Sequence, residues 1–476
     1  MPETQPFSPL WWLELLEPKL TEQAAEAQSF LDYYDGDQPI ASIVTEQYRD
    51  AFARMIRDVV DNWMPIVVDA VEERLHVEGF RFGKDAQGDA DAWAIWQRNY
   101  LDADSEIVHS VACTAGLAAV MVWPDADGEP VITVEHPTQV YVEHVPGARR
   151  KRAAALKVFV DDWTGDTLAT LYLPESLHKF RRSGDEALWV PRGTSEDDAA
   201  NPLGVVPIVP MLNRPTMFGK GRSEIAEVTS TQDQVNKLVA DMLIASEFSA
   251  FKQRWATGIE VPIDPETGEE VEVFTAAVQR VWHTASETAK FGEFGETNLA
   301  NYVGAIENRV QSLASRTRTP PHYLLGGSGS FPSGESLKAT ETGLIAKVRS
   351  RQRHYGETWE EVIRLAFAIK SDDKRAKAYD AETIWRDPES RTEAEHVDAL
   401  GKLRTMLSVP LEQLWADAGY TPQQIARFRS MLAEEALNRA IIAQPAQIAT
   451  GSAPEASTSS PPAAPAPTQE SGNGGV

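Results

Sequence analysis

The sequence predicts an α+β fold that is mainly helical. Apolar residues recur at helical spacing through the first hundred or so positions and again after residue 223. Between about 117 and 212 the period changes to the alternation of strands. A further pattern from Glu335 to Ile369 is long enough for one helix of roughly 50 Å at about 1.5 Å per residue.

Taken in order, residues 9–31 read as a helix, with Leu10, Leu13, Leu16 and Leu20 in step, and LDYYDGDQPI (31–40) as a turn region. A second helix carries Val44, Tyr48, Phe52, Met55, Val59 and Trp63 on one stripe. Pro65 then starts another, running to about Leu75. HVEGFRF (76–82) reads as a strand, and 89–101 and 103–116 as helices. Strands and turns fill 117–212 as one mostly antiparallel sheet, and a long helix is expected from Ser223 to about Trp255. An acidic hairpin follows, with Glu260, Asp264, Glu266, Glu269, Glu270 and Glu272 and no basic residue among them. A helix covers 299–318, and the long helix from Glu335 has Gly343 and Gly356 as its expected kink points. A charged connector (370–390) leads to a small helical region at 391–443. The Ala-, Pro-, Ser- and Gly-rich tail cannot bury a core and is expected to be disordered.

Composition narrows the function classes. With 45 basic and 71 acidic residues the net charge is −26, which argues against a general nucleic-acid-coating surface but not against a protein that lets nucleic acid pass without sticking. Cys113 is the only cysteine, so no intrachain disulfide forms. The N-terminus lacks a basic region and a long apolar run, so no signal peptide is expected, and no run of about 18 apolar residues predicts a membrane span.

Catalytic constellations are not found. The segment 326–330, GGSGS, invites a phosphate cradle, but no Gly-x4-Gly-Lys-Ser/Thr is present and Pro332 breaks Gly-x-Gly-x-x-Gly. Ser328, Ser330 and Ser333 miss the spacing of a nucleophile elbow, and Ser333 reads better as an N-cap with Glu335 in the first turn. Glu135, His136, Glu143 and His144, and separately Asp32, Asp35 and Asp37, are weighed as metal ligands and read instead as turn and surface positions. No catalytic residue, metal or cofactor is assigned. Basic residues concentrate in RRKR (149–152), read as a solvated loop before a strand, and around the glycine-rich loop: Arg309, Arg316, Arg318, Lys338, Lys347, Arg349, Arg351 and Arg353. The second group suits a polyanion or, better, acidic neighbours in another subunit. An enzyme with 319–334 as an active-site lid and a non-enzymatic structural protein are the readings kept open at this point.

Four stretches resemble one family: LDYYDGDQPI; PIVPMLNRPTMFGKGRSEIAEVTSTQDQVNKLVADML (207–243), with its Asn-Arg, its Gly-x-Ser and a helix carrying Asp233 and Asn236; TPPHYLLGGSGSFPSGESLKATE (319–341); and QRHYGETWEEVIRLAF (352–367). In their order the chain resembles the portal proteins of tailed double-stranded DNA bacteriophages, of the siphophage type found in actinobacterial viruses. The resemblance implies a homo-oligomeric ring, usually a dodecamer, at one capsid vertex of the virion, assembled in the host cytoplasm. Double-stranded DNA would pass through its channel; terminase, head–tail adaptor, scaffold and major capsid proteins would be partners, and no membrane. The implied parts are a wing (1–222), stem helices (223–250 and 298–318) flanking a clip (251–297), and a tunnel loop (319–334). A long wing helix with its connector (335–390), a helical crown (391–445) and a tail (446–476) complete them. Gly326, Gly327, Ser328, Gly329, Ser330 and Phe331 would face the channel, with Arg316, Arg318 and Lys338 contacting DNA or a neighbouring subunit. Glycine would let such a loop shift beside moving DNA, and Pro320 and Pro321 would confine that mobility.

Overall fold

In the computed structural model the described residues are 4–38, 60–83, 88–184, 188–192, 200–250, 254–258, 288–293, 295, 298–324, 334–389 and 393–443. The chain divides into two units, 1–425 and 426–476. The predicted second helix lies almost wholly outside the described residues, as do the acidic hairpin, Ser333 and the tail.

Helix α1 (Pro9–Asp35) begins where Ser8 Oγ accepts the Trp11 N–H at 3.2 Å and ends at Gly36, whose φ of 84° terminates the helix. It runs past the expected residue 31. Its buried Leu13, Leu16 and Leu20 pack on Ala154, Leu156, Ala169, Leu171 and Phe180 of a five-stranded antiparallel sheet, β4-β5-β6-β7-β8. The strands are β4 (Val140–Val145), β5 (Ala148–Val160), β6 (Thr167–Tyr172), β7 (Leu177–Arg182) and β8 (Val190–Pro191). A separate three-stranded sheet, order β3-β2-β9, comprises β2 (Leu117–Pro124), β3 (Pro130–Glu135) and β9 (Ile208–Leu212). The single expected sheet is therefore two. The break falls at the turn after β3, where Gln139 N–H donates to His136 O and the chain leaves the first sheet.

The main core lies between the smaller sheet and the helices. Contributing elements are α2 (Met64–Glu72), α3 (Ala90–Arg98), α4 (Leu101–Ala115) and the 36-residue α8 (Gly334–Ile369). Along α8, Leu344, Val348, Tyr355, Trp359, Val362, Ile363 and Ala366 are buried on one stripe. Burial of aromatic rings of this size dominates core energetics. β1 (Val77–Phe82) pairs antiparallel with β12 (Ala381–Trp385), a strand inside the segment expected as a connector. Gly356 makes this fit possible: a Cβ there would lie 3.3 Å from Trp385 Nε1, and Thr383 Oγ1 donates to the Gly356 carbonyl at 3.2 Å. This glycine therefore marks a close approach within a continuous helix. α9 (Asp373–Ala376) is tied to α3 by Arg375, whose Nη1 lies 3.0 Å from Asp89 and 2.9 Å from Asp91.

Helices α5 (Thr229–Ala250) and α6 (Ala300–Thr317) pair side by side. Arg316 Nη1 donates to Thr231 Oγ1 at 3.2 Å and Arg309 Nη1 to Gln234 Oε1 at 3.3 Å, an antiparallel order. α5 starts six residues later than expected, because Ser223–Val228 turns rather than winding into the helix, and it stops before Trp255. That residue sits on β10 (Arg254–Thr257), paired with β11 (Lys290–Glu293). The one-turn α7 (Pro321–Leu324) follows α6. Beyond β12 come α10 (Glu393–Leu407), α11 (Leu411–Asp417) and α12 (Pro422–Ala443).

Candidate functional site

The segment joining β9 to α5 is built around the end of α4. Gly116 caps α4 with φ 88°, and its carbonyl accepts the Asn213 N–H at 2.9 Å. Gly221 packs so tightly on it that a Cβ would lie 1.8 Å from the Gly116 oxygen; no other residue fits there. Asn213 Nδ2 donates to Arg222 O at 2.8 Å and to Glu224 Oε1 at 2.9 Å, while Glu224 N–H donates to Cys113 O at 2.9 Å. The Asn-Arg and Gly-x-Ser of the sequence are thus the two sides of one turn, buried at its base.

Glu224, only 3% exposed, is its centre. Lys347 Nζ lies 2.9 Å from Oε2, and Arg351 Nε and Nη2 lie 2.7 and 2.6 Å from Oε1. Burial alone raises this carboxyl's pKa; Lys347 and Arg351 outweigh it and hold the group down at about 2. Lys347 also donates to the Thr317 carbonyl at 3.2 Å. One carboxylate therefore joins the approach to α5, the last turn of α6 and the middle of α8.

Behind it runs a buried polar column. Cys113 Sγ is 3.3 Å from Tyr355 OH, the Tyr355 ring stacks on His109 with centroids 5.3 Å apart, and Trp359 Nε1 donates to His109 Nε2 at 2.9 Å. Burial pushes the His109 pKa down to about 3, so the ring stays neutral and can accept that bond. Burial likewise pushes the Cys113 thiol up to about 12, leaving it an inert core group.

The head of α5 is fastened to the N-terminal segment. Tyr33 OH donates to both Asp233 oxygens at 2.9 and 3.0 Å, and burial with this carboxylate pushes the phenol up to about 12. Gln232 Nε2 donates to Asp61 O at 2.6 Å and to Asn236 Oδ1 at 2.9 Å, and its Oε1 accepts the Trp63 N–H. Two of the stretches that carried the resemblance, around Tyr33 and around Asp233, meet here.

Both flanks of the glycine-rich segment are held. On α7, Tyr323 OH accepts from Arg74 Nη2 at 2.6 Å and donates to Glu341 Oε1 on α8 at 3.3 Å, and Leu324 is buried. Gly326, Gly327, Ser328, Gly329, Ser330 and Phe331 lie outside the described residues. Lys338 is on α8, with its side chain outside them. Arg316 sits exposed in the last turn of α6 and bonds Thr231; Arg318 caps that helix with φ 56° and an exposed side chain.

The expected basic concentration is not one surface. Lys347 and Arg351 are buried against Glu224 and serve contacts within the chain, while Arg349, half exposed, lies 3.4 Å from Asp387. RRKR is strand, not loop: it lies in β5, where Arg152 reaches Glu361 at 2.6 Å. Glu135 bonds Lys157, Glu143 bonds Lys19 and His136 bonds Thr138, so three of the four considered ligands are engaged by other side chains. Among the described residues no group of three or more metal-ligating side chains occurs, and no helix is long and apolar enough to cross a membrane. The sequence reading missed Glu224. The one available signal was the i,i+4 spacing of Lys347 and Arg351 beside the apolar Val348 on a helix.

The family described as phage portal protein, SPP1 Gp6-like, matches residues 13–436. The chain is 30% identical over 437 residues to the portal protein of Mycobacterium phage L5, covering 87% of this chain and 86% of the relative. It is also 30% identical over 437 residues to the portal protein of Mycobacterium phage D29, covering 87% of each. The expected family and its actinobacterial-virus type are both met: the chain belongs to the phage portal protein family of the SPP1 Gp6-like kind.

Proposed function

We propose that this chain forms a homo-oligomeric ring, a dodecamer in the particle, at one capsid vertex. In this reading DNA is packaged and later ejected through the ring, and terminase and head–tail adaptor proteins dock on it. It is a structural conduit and not an enzyme; nucleotide hydrolysis belongs to a separate terminase. Residues 1–222 act as the wing, α5 and α6 as the stem with the clip between them, 319–334 as the tunnel loop, α8 as the long wing helix and 391–445 as the crown. The ring assembles in the host cytoplasm with scaffold and major capsid protein and stays in the virion.

Family membership over residues 13–436 carries the reading, and the Glu224 junction supports it. A loop that works against moving DNA needs a mobile middle and fixed ends. Here the fixed ends are Tyr323, Thr317 and Lys347, tied to the same base as the paired helices. A net charge of −26 suits a wall that must not hold phosphates. Phe331→Ala tests this. Rings should assemble at wild-type yield while packaged DNA per particle falls severalfold; wild-type packaging by this variant would remove the loop from the account.

A further inference from the structure

Residues 214–222 form an ordered projecting turn. Thr216 N–H donates to Lys220 O at 2.8 Å and Gly219 N–H to Thr216 O at 3.0 Å, with Gly219 at φ 78°. Lys220 N–H also reaches Thr216 Oγ1 at 3.2 Å. The closed turn holds its tip in solvent: Met217 is 90% exposed and Phe218 95%. Two adjacent large apolar side chains fixed in water mark a surface made to be covered. The turn carries cations, while Glu22, Glu26 and Glu143 line the same cavity as Met217 and Phe218 and Arg214 pairs with Glu227. Lys220 and Arg222 belong to the turn, and Arg149 leans on it, its Nη1 donating to Thr216 O at 3.4 Å. None of these three has an acidic partner among the described residues. In a chain of net charge −26 these three cations without an acidic partner stand out.

A complementary surface lies on α4. Ile107, 55% exposed, shares one face with Ala103 at helical spacing, and Tyr100, 80% exposed with φ 55°, is the residue just before the helix. Asp102, Asp104 and Glu106 flank them. The same helix touches the projecting turn at its other end, through Gly116 and Gly221. Roughly 24 Å of helix separates Tyr100 from Gly116 at about 1.5 Å per residue. One chain thus carries a basic apolar knob and, at a distance, an acidic apolar face.

We propose that the Met217–Phe218 turn of one copy docks on the Tyr100–Ile107 face of α4 in the next copy around the ring. The inference rests on the ring reading and names a contact within it. A closed ring uses heterologous contacts, in which each subunit presents two different patches, one to each neighbour. Opposite charge orders the encounter, while methionine and aromatic side chains are the residues enriched at interface cores. A basic loop also suits nucleic acid, but the apolar tip and the matching acidic face favour a protein partner.

The test uses the full chain in assembled rings. Phe218→Cys with Ile107→Cys, treated with a short bis-maleimide, should give a covalent ladder of subunits, which neither single variant gives. Cys113 is buried and does not compete. Met217→Asp with Phe218→Asp should weaken association by about tenfold or more at an unchanged thermal melt. Lys220→Glu with Arg222→Glu should weaken it too, and Asp104→Lys with Glu106→Lys should restore it. Rings that form but give no ladder overturn this contact and leave the ring reading standing. A chain that stays monomeric with scaffold present overturns both. Loss of DNA retention in Lys220→Glu/Arg222→Glu with unchanged association assigns the turn to nucleic acid and overturns the proposal.

Discussion

Arg351 on α8 reaches Glu224, before α5, with Nε and Nη2 both within 2.7 Å of the same carboxylate oxygen, and the pair is buried. Removing one member of such a pair leaves an uncompensated charge in the interior. Glu224→Ala should therefore cost about 3–5 kcal/mol, read as a lower midpoint in urea. Replacing all three partners with apolar residues (Glu224→Leu, Lys347→Met, Arg351→Met) should recover most of that loss. If the single variant costs under about 1 kcal/mol, the junction does not hold the helices together.

Acid stability separates a buried group, His109, from a partly buried one, Glu72. The His109 pKa is lowered by burial to about 3, so its contribution is present above its ordinary value of 6.5 and is lost as pH falls toward 3. Glu72 has the opposite sign: burial, then Glu106, Asp69 and Glu73, raise it to about 7, so it favours the folded state as pH falls from 7 toward 4.5. Between pH 6.5 and 4.5 the two oppose each other. His109→Gln removes one of them, and the variant's stability relative to wild type should rise by about 1.4 kcal/mol per pH unit as pH falls. Parallel curves for the two proteins, from urea titrations at several pH values, would refute the neutral buried histidine.

Glycine substitutions should divide by position. Gly221→Ala places a Cβ 1.8 Å from the Gly116 oxygen, a backbone atom that cannot move aside, and soluble folded protein should be lost. Gly401, in the interior of α10 with open space around it, should accept Ala and gain about 0.5–1 kcal/mol. Soluble yield and thermal melts of the two variants check this.

The loop anchor gives a milder phenotype. Tyr323→Phe removes the hydroxyl shared by Arg74 and Glu341 and should cost about 1–2 kcal/mol. Ring assembly should be unchanged and packaging reduced; unchanged packaging would show that the fixed end is not needed.

Elements whose signal is local were legible in the sequence. The leucines of α1 and the stripe of α8 announced helices, and both are present with nearly the expected bounds. Relationships between distant segments were not. β12 lay hidden in a charged segment because its partner, β1, is about three hundred residues earlier in the chain. The split into two sheets depends on one turn near His136, which alternation cannot distinguish from any other turn. Ile225 and Val228 are buried and spaced as in a helix, which carried the predicted start of α5 too far forward. The basic run on α8 was read as an outward surface, since nothing near Lys347 in sequence shows that Glu224 folds against it. Asn213, Gly221, Ser223 and Asp233 entered through the family resemblance, and their geometry then gave each a physical reason.

The most direct test of the ring is the mass and rotational symmetry of the purified chain, by native mass spectrometry and negative-stain microscopy, alone and with scaffold and major capsid protein. The account predicts closed rings with a central hole and a mass twelve times that of the chain in the particle. A chain that remains monomeric or dimeric even in the presence of those assembly partners would contradict it.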